Sequence, residues 1–177
     1  MLDSLITSRT RVLLLLKFFT NSQTQGYLRG LADEFGESTN AVRLELNRFS
    51  EANLITSETE GRKKLYKANK KHPLYPELKS VARKYLGLDR VQHIIERLGN
   101  VQRAFITGSY AKGIDSGIID VVIVGTVDRT YLNKLVQKAE KLINRRIRLL
   151  VINELEFKNL APQFEKEKAI ELWFKEE

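Results

Sequence analysis

The sequence predicts an α+β fold in which a helical N-terminal part is followed by a part that alternates strands and helices. Residues 8–54 carry apolar positions at helical spacing in three consecutive segments, and the period changes to two around residues 55–69. Beyond residue 100, two strand-like segments precede an amphipathic helix and a third strand, which predicts a small α/β domain with a mixed sheet. These two patterns predict two domains.

The N-terminal part begins with three predicted helices. The first lies in RVLLLLKFF and ends before the polar turn TNSQTQG. The second, YLRGLADEFG, is apolar along one side and stops at Gly36, a residue that commonly terminates helices. The third begins at Ser38 or Thr39, because either hydroxyl can accept a hydrogen bond from the first amides, and it continues through STNAVRLELNRFSEANL.

A hairpin follows these helices. The segment LITSETEGRKKLYKAN alternates apolar and polar residues on both sides of Glu60 and Gly61, and Arg62, Lys63 and Lys64 make its tip basic. Tyr66 falls at an alternation position that favours core packing. Two helices joined around a glycine, a capped third helix and a basic hairpin follow the order of a winged helix-turn-helix.

The third helix and the hairpin carry residues suited to DNA. Asparagine and arginine can form paired hydrogen bonds with adenine or guanine edges, whereas arginine and lysine on a wing suit phosphates. We expect base contacts from Asn40 and Arg43 and phosphate contacts from the hairpin tip. The solvent side of the third helix is predicted to hold Ser38, Thr39, Asn40, Arg43, Glu45, Asn47 and Arg48, and the candidate DNA-binding residues are these without Glu45, together with Arg62, Lys63 and Lys64. The alternative is a solvated helix face and hairpin tip.

The run from Ser8 to about Leu78, including YLRGLADEFGESTNAVRLELNRFSEANLITSETEGRKKLY, resembles the ArsR-type winged-helix regulators. That resemblance implies a DNA-binding module in which the capped helix enters the major groove and the wing follows the phosphates. The expected function is transcriptional regulation, and the expected partner is double-stranded DNA.

The composition agrees with a polyanionic partner. The formal net charge is +8, and residues 1–85 carry 15 Lys and Arg against 9 Asp and Glu, whereas residues 86–177 carry 15 against 13. There are no cysteines and only two histidines, so disulfides, thiol catalysis and cysteine-ligated zinc are excluded. The longest apolar run is too short for a membrane span. We expect a cytoplasmic protein that is not associated with a membrane.

A connecting segment is predicted between the two domains. Pro73 and Pro76 argue against a continuous helix through HPLYP, so we predict a connecting helix from about Glu77 and domains at 1–75 and 101–177, joined by 76–100. This helix carries an apolar stripe that we expect to form a homodimer, although packing on its own domain is the alternative. The stripe consists of Leu78, Val81, Ala82, Tyr85 and Leu86.

The second domain begins with the strands VQRAFITGS and SGIIDVVIVG, joined by YAKGID. An amphipathic helix, TYLNKLVQKAEKLIN, and a third strand, RRIRLLVI, follow. We predict that the remaining segment forms terminal helices interrupted at Pro162, with Leu172, Trp173 and Phe174 docking on the sheet or on a partner.

The segment GSYAKGIDSGIIDVVIVG resembles the minimal nucleotidyltransferase fold of the polymerase-beta superfamily, whose signature is a Gly-Ser turn before a strand with two aspartates one residue apart. Here Asp120 takes the second aspartate position and Ile118 the first, and the strand that normally adds a third acid offers Arg146 and Arg148. Nucleotidyl transfer needs carboxylates that hold divalent cations. We therefore expect a degenerate domain that is not an enzyme, with no catalytic residue, no metal ligand and no cofactor.

Such a domain could still serve in dimerisation or in ligand sensing. Exposed amides in a Gly-Ser turn beside a lysine can hold a phosphate, so the candidate nucleotide-binding residues are Gly108, Ser109, Lys112 and Asp120. The alternative for the glycines is a purely architectural role in tight turns. Two other functions stay open: an active metal-dependent nucleotidyltransferase with Ser109, Asp115 and Asp120 at its site, and an antitoxin-like partner of a toxin chain.

Overall fold

The computed structural model describes residues 5–98, 100–166 and 168–174. The chain divides into two compact units, here called unit 1 (Met1–Tyr85) and unit 2 (Leu86–Glu177). The division falls inside the segment 76–100 that the sequence predicts to be a connector. Helices and strands occur in both units, so the predicted α+β class is confirmed.

Unit 1 contains the three predicted helices and the predicted hairpin. Its elements are α1 (Arg9–Thr20), β1 (Gln25–Tyr27), α2 (Leu28–Phe35), α3 (Thr39–Glu51), β2 (Ile55–Glu60), β3 (Lys63–Ala68) and α4 (Tyr75–Leu86). The sequence analysis missed β1, because three residues are too few to display a period of two. Gly36 ends α2 in the left-handed conformation at φ 63°, as its position after the last apolar residue predicts.

The three strands of unit 1 form one antiparallel sheet in the order β1-β3-β2. Gly61 turns the β2–β3 hairpin at φ 59°, a backbone conformation that favours glycine. Tyr66 lies opposite Ser57 and is buried, which confirms that it is a core residue. Most of the apolar core comes from the helices, including Leu14, Leu16, Phe18, Phe19, Leu31, Val42 and Leu46.

Helix α4 starts earlier than predicted. It begins at Tyr75, and Pro76 occupies its first turn, where a proline costs no intrahelical hydrogen bond. The helix ends before Gly87, which has φ 77°. Of the stripe predicted to form a dimer, Ala82 and Leu86 are buried within the chain while Val81 stays exposed. Dimerisation through this helix stays a prediction.

Unit 2 consists of α5 (Leu88–Glu96), β4 (Val101–Thr107), α6 (Gly108–Ala111), β5 (Ile118–Gly125), α7 (Arg129–Ile143), β6 (Arg146–Ile152), α8 (Glu154–Lys166) and β7 (Ile170–Phe174). Its sheet has the order β6-β5-β4-β7. Strands β5 and β6 are parallel, because α7 returns the chain to the same end of the sheet, and the other neighbours are antiparallel. The predicted mixed sheet is therefore confirmed.

The C-terminal segment differs from the prediction in two ways. Pro162 lies inside one continuous helix, α8, instead of interrupting it. Residues Ile170–Phe174 form the edge strand β7, not a helix, and they pair with β4. Leu172 is buried, and the Glu171 carboxylate accepts a hydrogen bond from Arg103 Nε at 3.0 Å. Five residues are too few for the sequence to distinguish the period of a helix from that of a strand. The segment forms a strand because it pairs with the edge of β4.

Over the described ranges, no helix combines the length and the apolar character that crossing a bilayer requires.

Candidate functional site

Helix α3 begins with a side-chain cap. Ser38 has extended backbone angles, and its Oγ accepts a hydrogen bond from the Ala41 N–H at 3.1 Å. This contact satisfies one of the amides that a helix start leaves without an intrahelical partner. Of the two capping residues that the sequence allows, the structure uses Ser38, and Thr39 is the first helical residue.

The exposed face of α3 is polar with one exception. Val42, Leu46 and Phe49 are buried and hold the helix on the core. Arg43 Nη1 lies 3.4 Å from Asn40 Oδ1, a long contact that leaves most of the donor capacity of the guanidinium unused. Leu44, which the sequence analysis did not select, is 52% exposed on this face. The exposed residues are Thr39, Asn40, Arg43, Leu44, Asn47, Arg48 and Glu51.

The prediction that Glu45 lies on the solvent side of α3 is wrong. It is 4% exposed, and its carboxylate accepts hydrogen bonds from Ser8 Oγ at 2.9 Å, Arg11 Nε at 2.8 Å and Arg48 Nη1 at 2.8 Å. Burial alone raises the pKa of Glu45, but the hydrogen bonds from Arg11 and Ser8 and the two positive charges outweigh it and lower the pKa. Glu45 thus links α1 to α3, and Arg48 is partly engaged in that link.

The tip of the β2–β3 hairpin, here called the wing, is exposed and basic. Arg62, Lys63 and Lys64 all reach solvent. The Lys63 ammonium lies 5.7 Å from the centre of the Tyr27 ring, a cation–π distance. The Tyr27 hydroxyl donates a hydrogen bond to Glu60, and this bond raises the pKa of Tyr27. The missed strand β1 therefore places an aromatic ring under the wing.

In unit 2, the residues at the nucleotidyltransferase-like positions lie on neighbouring strands. Asp120 of β5 stands opposite Arg148 of β6, and Arg148 Nε donates to Asp120 Oδ1 at 2.5 Å. Ile118 stands opposite Arg146 and is 42% exposed, although it is apolar. This end of β5 and β6, here called the strand edge, thus presents one carboxylate, one isoleucine and two guanidinium groups.

Gly108 is required at the strand edge for a steric reason. Its φ is 64°, and a Cβ atom placed there would lie 2.5 Å from Asp120 Oδ2. A side chain would therefore displace the carboxylate as well as strain the backbone. The structure brings two of the candidate nucleotide-binding residues, Gly108 and Asp120, into contact, with Ser109 following in the short helix α6.

The strand edge does not fit a divalent cation. Magnesium requires several oxygen ligands, and Asp120 is the one carboxylate that this pair of strands supplies there. Its Oδ1 already accepts from Arg148, whose positive charge would also repel a cation. In the part of the chain that the structure describes, no three His, Asp or Glu side chains are grouped so that they could hold a metal ion.

Asp115, the residue that could have completed a pair of acids, is engaged elsewhere. Its carboxylate accepts from Arg145 at 2.6 and 3.1 Å, from the Gly117 N–H at 3.2 Å and from the Tyr110 hydroxyl. Burial raises the pKa of Asp115, but the hydrogen bonds from Arg145 and Tyr110 outweigh it and lower the pKa. Burial and the hydrogen bond that the Tyr110 hydroxyl donates to Asp115 raise the pKa of Tyr110. Asp115 therefore organises the loop between α6 and β5.

Lys112, the fourth candidate nucleotide-binding residue, lines an open groove of about 670 Å³ with Pro162, Gln163, Lys166 and Lys168. Among the described residues, those lining this groove do not include Gly108, Ser109 or Asp120. Lys112, Lys166 and Lys168 make this groove basic, although it adjoins the C-terminal end of α8. Lys112 also ends the short helix that Gly108 and Ser109 begin, and its N–H donates to the Ser109 carbonyl at 3.0 Å. A shared anion site of the four candidates stays a prediction.

The chain is similar to several solved structures. No protein-family model matches it, and no curated protein does. Among solved structures, a mutant MntA-HpeT toxin-antitoxin is 17% identical over 50% of this chain and 73% of that chain, with a TM-score of 0.39. A Shewanella oneidensis HEPN toxin in complex with MNT antitoxin is 15% identical over 51% and 71%, with a TM-score of 0.36. A protein from Archaeoglobus fulgidus is 19% identical over 56% and 99%, with a TM-score of 0.37. Similarities at this level leave both the family and the function open.

Proposed function

We propose that the chain is a DNA-binding transcriptional regulator in which unit 1 is a winged helix of the ArsR type. One observation carries this proposal: a capped helix with an exposed amide and guanidinium face belongs to the same unit as an exposed basic hairpin. The order α1-β1-α2-α3-β2-β3 with the sheet order β1-β3-β2 supports it, because this arrangement presents a helix and a wing as separate elements.

The dimensions and chemistry of α3 suit the major groove of DNA. Its 13 residues correspond to about 20 Å of helix at about 1.5 Å per residue. Asn40, Arg43 and Asn47 offer the paired donors and acceptors that distinguish base edges. Ser38 and Thr39, at the helix start, are placed to contact a phosphate through hydroxyls or amides.

The wing and Arg48 suit the phosphate backbone. Arg62, Lys63 and Lys64 add three positive charges within three residues, and each phosphate contact releases condensed counterions. Arg48 keeps part of its guanidinium exposed while Glu45 orients it. These contacts would set the position of the protein on DNA, and α3 would read the sequence.

For unit 2 we propose a nucleotidyltransferase-like domain without transferase activity, serving in dimerisation or ligand sensing. The ion pair between Asp120 and Arg148 supports this role, because the guanidinium satisfies the carboxylate that transfer chemistry would need for a cation. The engagement of Asp115 with Arg145 supports it further, since that acid lies in a closed network.

A second candidate function is an antitoxin-like partner of a toxin chain. Several of the similar solved structures are toxin-antitoxin complexes, and one of them is a toxin-antitoxin with AMP-PNP. The low TM-scores mean that these alignments do not decide between the two candidates. Isolation of the tagged chain from its own cell type, followed by mass spectrometry of stoichiometric partners, tests this second function directly.

Selection of bound sequences from a random pool of double-stranded DNA tests the proposed function. We expect enrichment of a two-fold related site whose half-sites lie one helical turn apart, about 10 base pairs, if the chain is a dimer. A single enriched half-site would indicate a monomer. Failure to enrich any sequence, together with an affinity for DNA no greater than that of a basic control protein of equal charge, contradicts the proposal.

Nucleotide transfer is tested separately with labelled ATP, GTP, CTP or UTP, magnesium or manganese, and the purified chain. We expect no transfer by the wild type. The double variant Ile118→Asp with Arg148→Asp serves as the matched control. It places one acid two residues before Asp120 on β5 and a second acid opposite Asp120 on β6. Transfer by the wild type that Asp120→Asn abolishes would show that the domain is an active nucleotidyltransferase.

A further inference from the structure

We infer that Leu44 reads the methyl group of a thymine in the DNA site, which makes it a residue that determines sequence specificity. The inference rests on the proposed function, because it concerns how α3 reads DNA. Leu44 is 52% exposed, whereas the other large apolar residues of α3, Val42, Leu46 and Phe49, are exposed by 5% or less. Leu44 is therefore the exception on this helix.

The surroundings of Leu44 indicate what it contacts. In a helix, side chains three and four residues apart are neighbours, so Leu44 lies between Asn40 and Ala41 on one side and Asn47 and Arg48 on the other. One exposed leucine beside one alanine is too small an apolar patch for a stable protein interface, which buries about 800 Å² per partner. Its polar neighbours instead suit the edges of base pairs.

The chemistry of the major groove supplies a matching ligand. Each base edge presents hydrogen-bond donors and acceptors, and the thymine C5-methyl is the apolar group among them. An amide that pairs with adenine and an adjacent leucine that covers a thymine methyl together favour a site with A·T pairs. Burial of one methyl group against Leu44 corresponds to about a fourfold gain in affinity.

Deoxyuridine substitution tests the inference with the full chain. Each thymine in the best selected site is replaced in turn by deoxyuridine, which removes the methyl and leaves the hydrogen-bonding edge unchanged. We expect one position per half-site at which wild-type affinity falls by about fourfold. The Leu44→Ala variant should lose that difference, because the remaining Cβ methyl is too short to cover the thymine methyl. Leu142→Ala, which alters an exposed leucine of unit 2, should keep it.

The outcomes separate the inference from the proposed function. Sequence-specific binding in which no thymine position responds to methyl removal overturns the inference and leaves DNA binding intact. The same holds if Leu44→Ala keeps the full response to deoxyuridine, since another residue would then contact the methyl. Failure of the wild type to bind any DNA sequence instead overturns the proposed function and this inference with it.

Discussion

Unit 1 and unit 2 both place arginines beside exposed polar residues, but they use the charges differently. On α3 and the wing, Arg43 makes a single 3.4 Å contact with Asn40, and Arg62 and Lys64 extend into solvent. On the strand edge of unit 2, Arg148 closes on Asp120 at 2.5 Å, and Arg146 lies 3.4 Å from Glu140.

The difference shows that residue type alone does not identify a binding surface. A guanidinium whose donors already meet a carboxylate must break that pair before it binds a ligand, and the carboxylate must leave the arginine before it holds a cation. In unit 1, Arg43, Arg62 and Lys64 keep most of their hydrogen-bond donors exposed to solvent. The strand edge of unit 2 satisfies its own charges. Four predictions test or refine this contrast, from the largest expected effect to the smallest.

Replacing Arg62, Lys63 and Lys64 together by alanine should lower DNA affinity by on the order of 100-fold at physiological salt, because three phosphate contacts are lost. The slope of log affinity against log salt should become shallower by about 2 to 3. Fluorescence anisotropy across a salt series measures both quantities.

The matched control for that experiment removes three exposed lysines from α7 in unit 2, Lys134, Lys138 and Lys141. It changes the net charge equally and should alter the slope much less. Equal effects of the two triple variants would mean that net charge, rather than the wing, drives DNA binding.

Asp115→Asn should destabilise unit 2 by about 2 to 3 kcal/mol at neutral pH, since it leaves the Arg145 guanidinium partly buried without its carboxylate. Trp173, the single tryptophan, reports unfolding of unit 2 in urea by fluorescence. The folded-state pKa of Asp115 is lowered, so its stabilising effect is complete above the unfolded pKa of about 4 and is lost as the pH falls through the folded value.

The difference in the free energy of unfolding between wild type and Asp115→Asn should therefore be constant from about pH 5 to about pH 8, because the unfolded pKa of Asp115 is about 4. This difference should shrink as the pH falls below about 4. A difference that persists unchanged at low pH would show that the charge of Asp115 is not what stabilises the loop. Asp128→Asn, at the start of α7, serves as a comparison variant. In the wild type, the Asp128 carboxylate accepts hydrogen bonds from the Thr130 and Tyr131 amides instead of from an arginine.

Glu45→Gln should destabilise unit 1 by about 1 to 2 kcal/mol, because a buried carboxylate that accepts from Arg11, Arg48 and Ser8 becomes a neutral amide with one acceptor atom. Hydrogen exchange of the α3 amides measures this effect. The Trp173 fluorescence transition, which reports unit 2, should stay at its wild-type position. A shift of that transition alone would place the effect outside unit 1.

Asp120→Asn should change the urea midpoint of unit 2 much less than Asp115→Asn does, because the Arg148 side chain is 73% exposed and exposed ion pairs contribute little stability. The Trp173 fluorescence transition is the measurement. A shift as large as that of Asp115→Asn would contradict the view that this pair neutralises the strand edge without stabilising it.

The sequence allowed most of the local structure to be predicted. The helices of unit 1, the cap at Ser38, the stop at Gly36 and the hairpin around Gly61 follow from short-range periodicity and turn chemistry. Apart from the expected interruption at Pro162, which lies inside α8, the segments that were wrong are short or lie at boundaries: β1 has three residues, β7 has five, and α4 accepts Pro76 in its first turn. In each case neighbouring strands or the helix start decided the outcome.

The candidate DNA-binding and nucleotide-binding residues stay predictions, but the structure changes their context. Glu45 looked like a surface residue because it occupies a polar position on α3, yet α1 covers it and supplies Arg11 and Ser8. Leu44 was overlooked, although helical spacing places it off the apolar stripe of Val42, Leu46 and Phe49 and therefore on the solvent side. The structure gives the extent of its exposure.

The sequence by itself determined the residue types at the strand edge: one aspartate, one isoleucine and two arginines. Only the tertiary structure decided which of them meet, because the parallel register of β5 and β6 sets Asp120 opposite Arg148 and Ile118 opposite Arg146. Local order depends on interactions between near neighbours in the chain, whereas ion pairs between residues 28 positions apart depend on how α7 returns the chain to the sheet.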